Sequence, residues 1–322
     1  MKILIYGAGA IGCLLAAKIS FLDHKIYLKT RGIHSENIKK NGLKFQNKNK
    51  NEKVNNNNIE IIEDIYDIKE LDFLFITLKA NSLLEASEDL SYLSSLNTTI
   101  ISFVNGIPYW YFYELKGEYK NYKIRSIDSN ENLYKILPPE KIIGTVVYPS
   151  CEIPSPGVIK LIEGNRFSIG EINGGKTERI LKLNKILSNA GFKAPIKSNI
   201  RNEIWYKLWG NLAFNPISAI TGFTLKQIYE DKYLMEIIIK MMKEAEIIAN
   251  KLNIKFIFSI EKRIQSISDI DHKTSMLQDF EKKKPIELEA ILGSVKELGS
   301  LTETSCPSIE TIYNLLKSDG LK

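Results

Sequence analysis

Six residues near the start, Gly7-Ala8-Gly9-Ala10-Ile11-Gly12, narrow the choice of fold more than any other part of this 322-residue sequence. They directly follow the apolar run Ile3–Tyr6, which reads as a buried strand, and they open a helical pattern over Ala10–Phe21. A Gly-x-Gly-x-x-Gly run alone says little. Set between a strand and a helix, the three glycines do different things. The first permits the tight turn, the second lets backbone approach a pyrophosphate, and the third lets helix and strand pack closely. The free N–H groups at the helix start then face the phosphates. Gly7, Gly9, Ala10, Ile11 and Gly12 are therefore candidate dinucleotide-binding positions.

The next 160 residues repeat the theme. Strands are expected at Lys25–Leu28, Phe73–Leu78, Ile100–Val104, Ile142–Val147 and Phe167–Gly170, with a helix over Leu83–Leu96. Short apolar runs alternating with helical patterns predict parallel strands covered on both faces, the doubly wound α/β arrangement. Gln46–Asn58, rich in Asn and Lys, reads as a surface loop or hairpin tip, and Pro154–Gly157 as a turn between strand-like runs. Beyond Gly174-Gly175 the period becomes helical, at Ile180–Leu187 and almost throughout from Ile200. The expected organisation is a Rossmann-type dinucleotide-binding domain over 1–175, then an all-α domain over 176–322 that carries substrate and catalytic groups.

The second strand is followed by Lys29-Thr30-Arg31 and no carboxylate. An acidic residue there would bind the ribose 2′-OH of NAD, whereas an arginine can grip a 2′-phosphate bidentately. NADP(H) is the cofactor this favours, with Arg31 the better candidate of the two cations. Ligands bind beyond the carboxyl ends of such strands, and two later strands deliver Lys79 and Asn105 there.

In the helical part, Lys207, Asn211 and Asn215 are spaced four apart, which aligns them on one helix face among the apolar Ile204, Leu208, Leu212 and Phe214. Polar groups on a helix otherwise dressed for burial need partners or a ligand, because unpaired burial costs about 1–3 kcal/mol each. Pro216 is expected to kink or end that helix. Farther on, Ser275 with Gln278 fits a capping box, and Pro285 is expected at the first position of another helix with Glu287 and Glu289 in its first turn. Two residues apart, those carboxylates point in different directions, so at most one lines a given pocket.

Composition narrows the function classes. Lys+Arg 44 against Asp+Glu 38 leaves +6, an excess suited to anionic small molecules and too diffuse for nucleic acid. Three cysteines at unrelated spacings support no disulfide framework, and with three histidines no metal site is expected. Neither a signal peptide nor an apolar run of ~18 residues is seen, so a cytoplasmic protein without a membrane span is expected.

Together these blocks resemble the ketopantoate reductases (2-dehydropantoate 2-reductases) over nearly the whole length. The resemblance lies in Gly7-x-Gly9-x-x-Gly12, Arg31, Thr77-Leu78-Lys79 and Asn105-Gly106. It continues in Glu203-x-x-x-Lys207-x-x-x-Asn211-x-x-x-Asn215-Pro216 and in Ser275-Met276-Leu277-Gln278-Asp279 followed by Glu287. It implies a Rossmann domain with a helical domain like that of 6-phosphogluconate dehydrogenase. The implied reaction is NADPH reduction of 2-dehydropantoate to (R)-pantoate, a step toward pantothenate and coenzyme A. It also implies Lys207 as general acid, Glu287 as its acidic partner, Asn211, Asn215 and Ser275 at the substrate, and Lys79 and Asn105 near the nicotinamide and its ribose. Two departures, His272 where an asparagine is common and Leu292 where the family often has asparagine, leave the keto acid open. A related NADP-dependent dehydrogenase of another hydroxy or keto acid and a non-enzymatic NADPH sensor are the alternatives. The chain would be a monomer or homodimer.

Overall fold

In the computed structural model, which describes residues 1–48 and 50–318, the chain divides into two compact units, Met1–Val104 with Asn132–Ile200, and Asn105–Glu131 with Arg201 onward. The first unit begins with β1 (Lys2–Tyr6), α1 (Ala10–Ile19), β2 (Lys25–Lys29), α2 (Gly32–Asn41), β3 (Lys44–Asn47) and β4 (Lys50–Glu52). It continues with β5 (Ile59–Ile62), β6 (Phe73–Ile76), α3 (Ser87–Ser95) and β7 (Thr99–Ser102). After residue 131 come α4 (Asn132–Ile136), β8 (Ile142–Val147), β9 (Ser150–Ser155), β10 (Val158–Glu163), β11 (Phe167–Glu171) and α5 (Glu178–Asn189).

Seven of these strands form one sheet in the order β11-β8-β7-β6-β1-β2-β5. All its pairs are parallel except β11 with β8. Every residue of β6 and β8 is buried, as expected of parallel strands with both faces covered. The strand order reverses between β1 and β6, and the chain leaves β1 into the glycine turn at that point. This is the doubly wound plan expected from the sequence.

Four strands, β4-β3-β10-β9, form a second, smaller sheet packed on α1. Period reading did not anticipate this sheet. Its reason lies in α1 itself: Cys13, Leu14, Leu15, Ala16, Ala17 and Ile19 are all buried, so the helix is apolar nearly all round and needs cover on two sides. The large sheet supplies one side and the small sheet the other. Lys18 is the polar exception, and its ammonium meets Glu52 of β4 at 2.9 Å. The Asn-rich stretch is thus partly the β3–β4 hairpin. Asn56 accepts from Leu43 N at 2.8 Å, and the Asn58 amide donates to Ser20 O at 2.9 Å.

The units divide elsewhere than a break at 175/176. The Gly174-Gly175 turn is present, both residues having positive φ, but α5 packs on β11 and α1 and stays with the sheet. Residues 105–131, expected in the nucleotide domain, group with the helices. The expected helix over Leu83–Leu96 is shortened to α3, and the strand over Phe73–Leu78 ends at Ile76.

The second unit adds α6 (Ile200–Thr221), α7 (Leu225–Glu230), α8 (Lys232–Lys251), α9 (Ile260–Gln265), α10 (Ser275–Glu281), α11 (Ser294–Leu301) and α12 (Pro307–Lys317). In α8 the buried residues Ile238, Met241, Met242, Ala245, Ile248 and Ala249 recur at helical spacing, and this stripe packs against α7, α11 and α12. Segment 105–131 carries the buried aromatics Tyr109, Trp110, Tyr111 and Phe112. Arg201 of α6 donates to the carbonyls of Tyr111 (2.6 Å) and Tyr113 (2.8 Å), and Trp205 donates to the Tyr111 hydroxyl (2.8 Å). Glu297 of α11 accepts from Tyr122 Oη and from the N–H groups of Arg125 and Ser126 at 2.7–2.8 Å. Those bonds are the physical reason the segment belongs with the helices. Among the described residues no helix is long and apolar enough to cross a membrane.

Candidate active site

In the first unit the glycine turn forms an open cradle at the start of α1. Gly7 has φ +114°, a conformation that L side chains rarely adopt. A Cβ on Gly12 would lie 2.0 Å from the Gly7 carbonyl oxygen, so that glycine is demanded by packing. Gly9 differs. A Cβ there would meet only Thr77 O, at 4.0 Å, so packing does not require a glycine. What the missing side chain leaves is open space before the start of α1, where Gly9 is the cap and no side chain fills the capping role. Helix geometry leaves the N–H groups of Ala10, Ile11 and Gly12 without intrahelical acceptors. That cradle fits an anionic group such as a pyrophosphate.

Arg31 follows β2 in extended conformation and is exposed. Its guanidinium makes no hydrogen bond or ion pair among the described residues. Lys29, the other cation of this strand, is engaged with Asp89 at 3.4 Å and with the carbonyl of Glu63. The geometry thus gives the physical ground for preferring Arg31 of the two cations: Lys29 has partners within the protein. Lys79 sits half-buried at the exit from β6, where it precedes a single 3-10 turn.

The second unit brings three distant residues together. The Lys207 ammonium on α6 donates to Asn105 Oδ1 at 2.6 Å, and Asn105 Nδ2 donates to Glu287 Oε2 at 3.2 Å. The amide is oriented as the charges require, oxygen toward the cation and nitrogen toward the carboxylate. Burial pushes the Lys207 pKa down to about 8, and the Glu287 charge opposes this. Asn105, expected near the cofactor, is thus the bridge between the two residues matched to catalytic positions. Spacing could not reveal this bridge, because its two bonds span 102 and 182 residues.

Gly106 explains how the bridge is placed. It has φ +82°, and a Cβ there would lie 2.1 Å from the Ala290 carbonyl oxygen. The next residue, Ile107, donates its N–H to that same oxygen at 2.9 Å. Ala290 belongs to a π-helical turn, Glu289–Gly293, that leads into α11. A π turn of this kind is a common feature of functional sites.

Several local expectations are corrected here. Helical residues begin after Glu287, whose carbonyl accepts from Ile291 N at 3.2 Å, so Pro285 lies ahead of the helix and only Glu289 is in its first turn. The two carboxylates do diverge: Glu289 bonds Tyr313 Oη at 3.0 Å and pairs with Lys317, while Glu287 faces Asn105. The cap of α10 is Thr274, which accepts from Leu277 N at 3.2 Å, and Gln278 turns its amide to Lys273 O. The expected Ser275–Gln278 box therefore does not form: the cap lies one residue earlier, and Ser275 is exposed. Helix α6 runs through Pro216 to Thr221, so the proline does not end it. The carbonyl deprived of a donor is that of Leu212.

Asn211 and Asn215 lie on α6 with Lys207, the first half-buried and the second only 7% exposed. Neither side-chain amide has a hydrogen-bond partner among the described residues. Burial pushes the thiols of Cys13 and Cys151 up to about 12 and that of Cys306 to about 11, so none is a thiolate at neutral pH. Among the described residues no group of three or more His, Cys, Asp or Glu could hold a metal ion.

Comparison with known proteins agrees along the whole chain. The family described as "Ketopantoate reductase PanE/ApbA" matches residues 3–174, and "Ketopantoate reductase PanE/ApbA C terminal" matches 199–319. A curated 2-dehydropantoate 2-reductase of Mesorhizobium japonicum is 37% identical over 98% of this chain and 97% of its own. A crystal structure from Ralstonia solanacearum MolK2, described as a candidate ketopantoate reductase, superposes with TM-score 0.90 at 28% identity, covering 98% of this chain and 96% of that one. D-mandelate dehydrogenase with NADH and anilino(oxo)acetate shares the fold, with TM-score 0.84 at 22% identity over 100% of this chain and 99% of its own. On these matches, with Lys207, Asn105 and Glu287 in one hydrogen-bonded chain, the protein belongs to the ketopantoate reductase family.

Proposed function

We propose that this chain is an NADPH-dependent 2-dehydropantoate 2-reductase that yields (R)-pantoate. The observation that carries the reading is the Lys207–Asn105–Glu287 chain, with its ammonium 2.6 Å from the bridging amide. The family match supplies the substrate.

Reducing a ketone builds negative charge on the carbonyl oxygen, which a positioned donor must neutralise. NADPH supplies the hydride when bound. Lys207 gives the proton: with its pKa lowered to about 8 it is still mostly charged at neutral pH, yet releases the proton more readily than an ordinary lysine. Asn105 holds the ammonium in place. Glu287 keeps it charged against the cost of burial. The side chains of Asn211 and Asn215 are available to substrate oxygens on the same helix face, and Ser275 offers an exposed hydroxyl. The glycine-turn N–H groups would hold the pyrophosphate, Arg31 the 2′-phosphate, and Lys79 matches a position near the nicotinamide.

The direct test follows NADPH oxidation at 340 nm with 2-dehydropantoate and a panel of other branched 2-keto acids. The expected result is the highest kcat/KM with 2-dehydropantoate. A better rate with another keto acid would move the reading to a related dehydrogenase, and the change to His272 makes that comparison worth running. No oxidation with any of them would leave a binding protein.

Two variant results belong to the same reading. Arg31→Ala should raise KM for NADPH by about 10- to 100-fold, a loss typical of a charge-assisted contact, and leave KM for NADH nearly unchanged. Equal effects on both cofactors would remove Arg31 from phosphate recognition. Glu287→Gln should lower kcat by about 10- to 100-fold. It should also shift the alkaline limb of the rate profile to lower pH, because the charge that raises the Lys207 pKa is gone. Glu289→Gln, whose carboxylate is occupied by Tyr313 and Lys317, should do neither.

A further inference from the structure

Asp89 lies in the first turn of α3, where an acid is favoured by the helix dipole. Its position over the carboxyl ends of β1 and β2 is not explained by that. Its Oδ2 accepts from the Tyr6 hydroxyl at 2.6 Å and lies 3.4 Å from the Lys29 ammonium. Tyr6 and Lys29 are register partners at the last rung of β1 and β2, immediately before the glycine turn and Arg31. Thr30 still bonds to Ile62 of the neighbouring strand, and Arg31 keeps extended backbone (φ −145°, ψ 162°). Lys29 and Arg31, two residues apart on an extended chain, therefore leave the same face. Both cations could reach one anion there, yet only Lys29 is tied down.

We propose that Asp89 sets cofactor specificity by holding Lys29 away from the 2′-phosphate position, so that phosphate recognition rests on Arg31 alone. The inference rests on the NADPH reading above. Two effects act together. Asp89 withdraws a cation, and its own carboxylate adds a negative charge at the end of the sheet where a 2′-phosphate is to be held. The side chains are only 20% and 25% exposed, so solvent screens the Lys29–Asp89 pair less than a surface pair. Burial and then the hydrogen bond to Asp89 push the Tyr6 hydroxyl upward, while Arg31 acts in the opposite sense, which places the arginine's charge within reach of this cluster. A purely structural role for Asp89 would change stability and affect the two cofactors alike.

The test is equilibrium titration of the full chain with NADPH and with NADH, without substrate, for wild type, Asp89→Asn, Arg31→Ala and the double variant. Asparagine can still accept from Tyr6, so the change removes the charge and keeps the bond. Asp89→Asn should tighten NADPH by about three- to ten-fold, the scale of one partly exposed ion pair, and change NADH by less than about two-fold. In the Arg31→Ala background it should recover a similar factor, since Lys29, then held only by the neutral carbonyl of Glu63, turns to the phosphate. Adding Lys29→Gln to Asp89→Asn should erase the gain. Parallel changes for both cofactors, or no recovery in the double variant, would overturn the proposal. If wild type binds NADPH and NADH equally, the cofactor reading and this inference fall together. If wild type prefers NADPH and loses that preference in Arg31→Ala, while Asp89→Asn alters nothing, only this inference falls.

Discussion

Lys207→Ala is expected to lower the turnover number by about 10²–10⁴-fold, the usual contribution of a general acid, while NADPH affinity changes by no more than about two-fold. The split follows from where the residues lie. Lys207 belongs to the helical unit, whereas the glycine turn and Arg31 belong to the sheet unit. The wild-type rate of ketone reduction should be level below pH about 8 and fall above it. The sign is fixed by the role: the acid form donates, and burial has brought its ionisation down from 10.5 to about 8. The variant's residual rate should lack this limb. A normal turnover number, or a limb that survives the substitution, would take Lys207 out of the proton transfer.

Gly106→Ala is the second large effect. At φ +82° an alanine is already strained, by about 1–2 kcal/mol. Its Cβ would also lie 2.1 Å from the Ala290 carbonyl oxygen and 2.5 Å from the carbonyl carbon. Both are backbone atoms, so no flexible side chain can yield. The chain must part from the π turn, and Asn105 moves with it. A misplacement of about 1 Å at a catalytic group can cost on the order of 10²-fold in rate, and that loss is expected in kcat. The thermal midpoint should drop by roughly 5–10 °C, as strain and clash add. Gly32→Ala is the matched comparison. It has φ +64° and nothing within 4 Å of the added Cβ, so strain acts alone and a drop of only a few degrees, about 2–4 °C, is expected. If Gly106→Ala behaves like Gly32→Ala, the Gly106–Ala290 contact does not position Asn105.

Local order was legible along much of the chain, and the reason is physical. The glycine turn, the buried parallel strands and the polar face of α6 are each set by neighbours within a few residues, through φ constraints, burial on both faces, or the 3.6-residue period. The divergence of Glu287 and Glu289 was readable on the same ground. Reading failed where two local solutions were nearly equal. Thr274 and Ser275 both suit a helix cap, and the structure uses the first. Pro285 suits a first helical position, yet the π turn begins later.

The sequence by itself determined the glycine turn, the α6 face that carries Lys207, Asn211 and Asn215, and the absence of a carboxylate after β2, because these depend on residues adjacent in the chain or one helical turn apart. Tertiary structure alone decided that α1 is covered by a second sheet, that residues 105–131 join the helices, that Asn105 bridges Lys207 to Glu287, and that Lys29 is tied to Asp89 while Arg31 is left free of such bonds. The last three of those outcomes rest on hydrogen bonds and ion pairs between residues 60 to 182 positions apart in the chain. Such partners are selected by which buried polar groups must be satisfied once the core has formed, a requirement that spacing along a chain does not record.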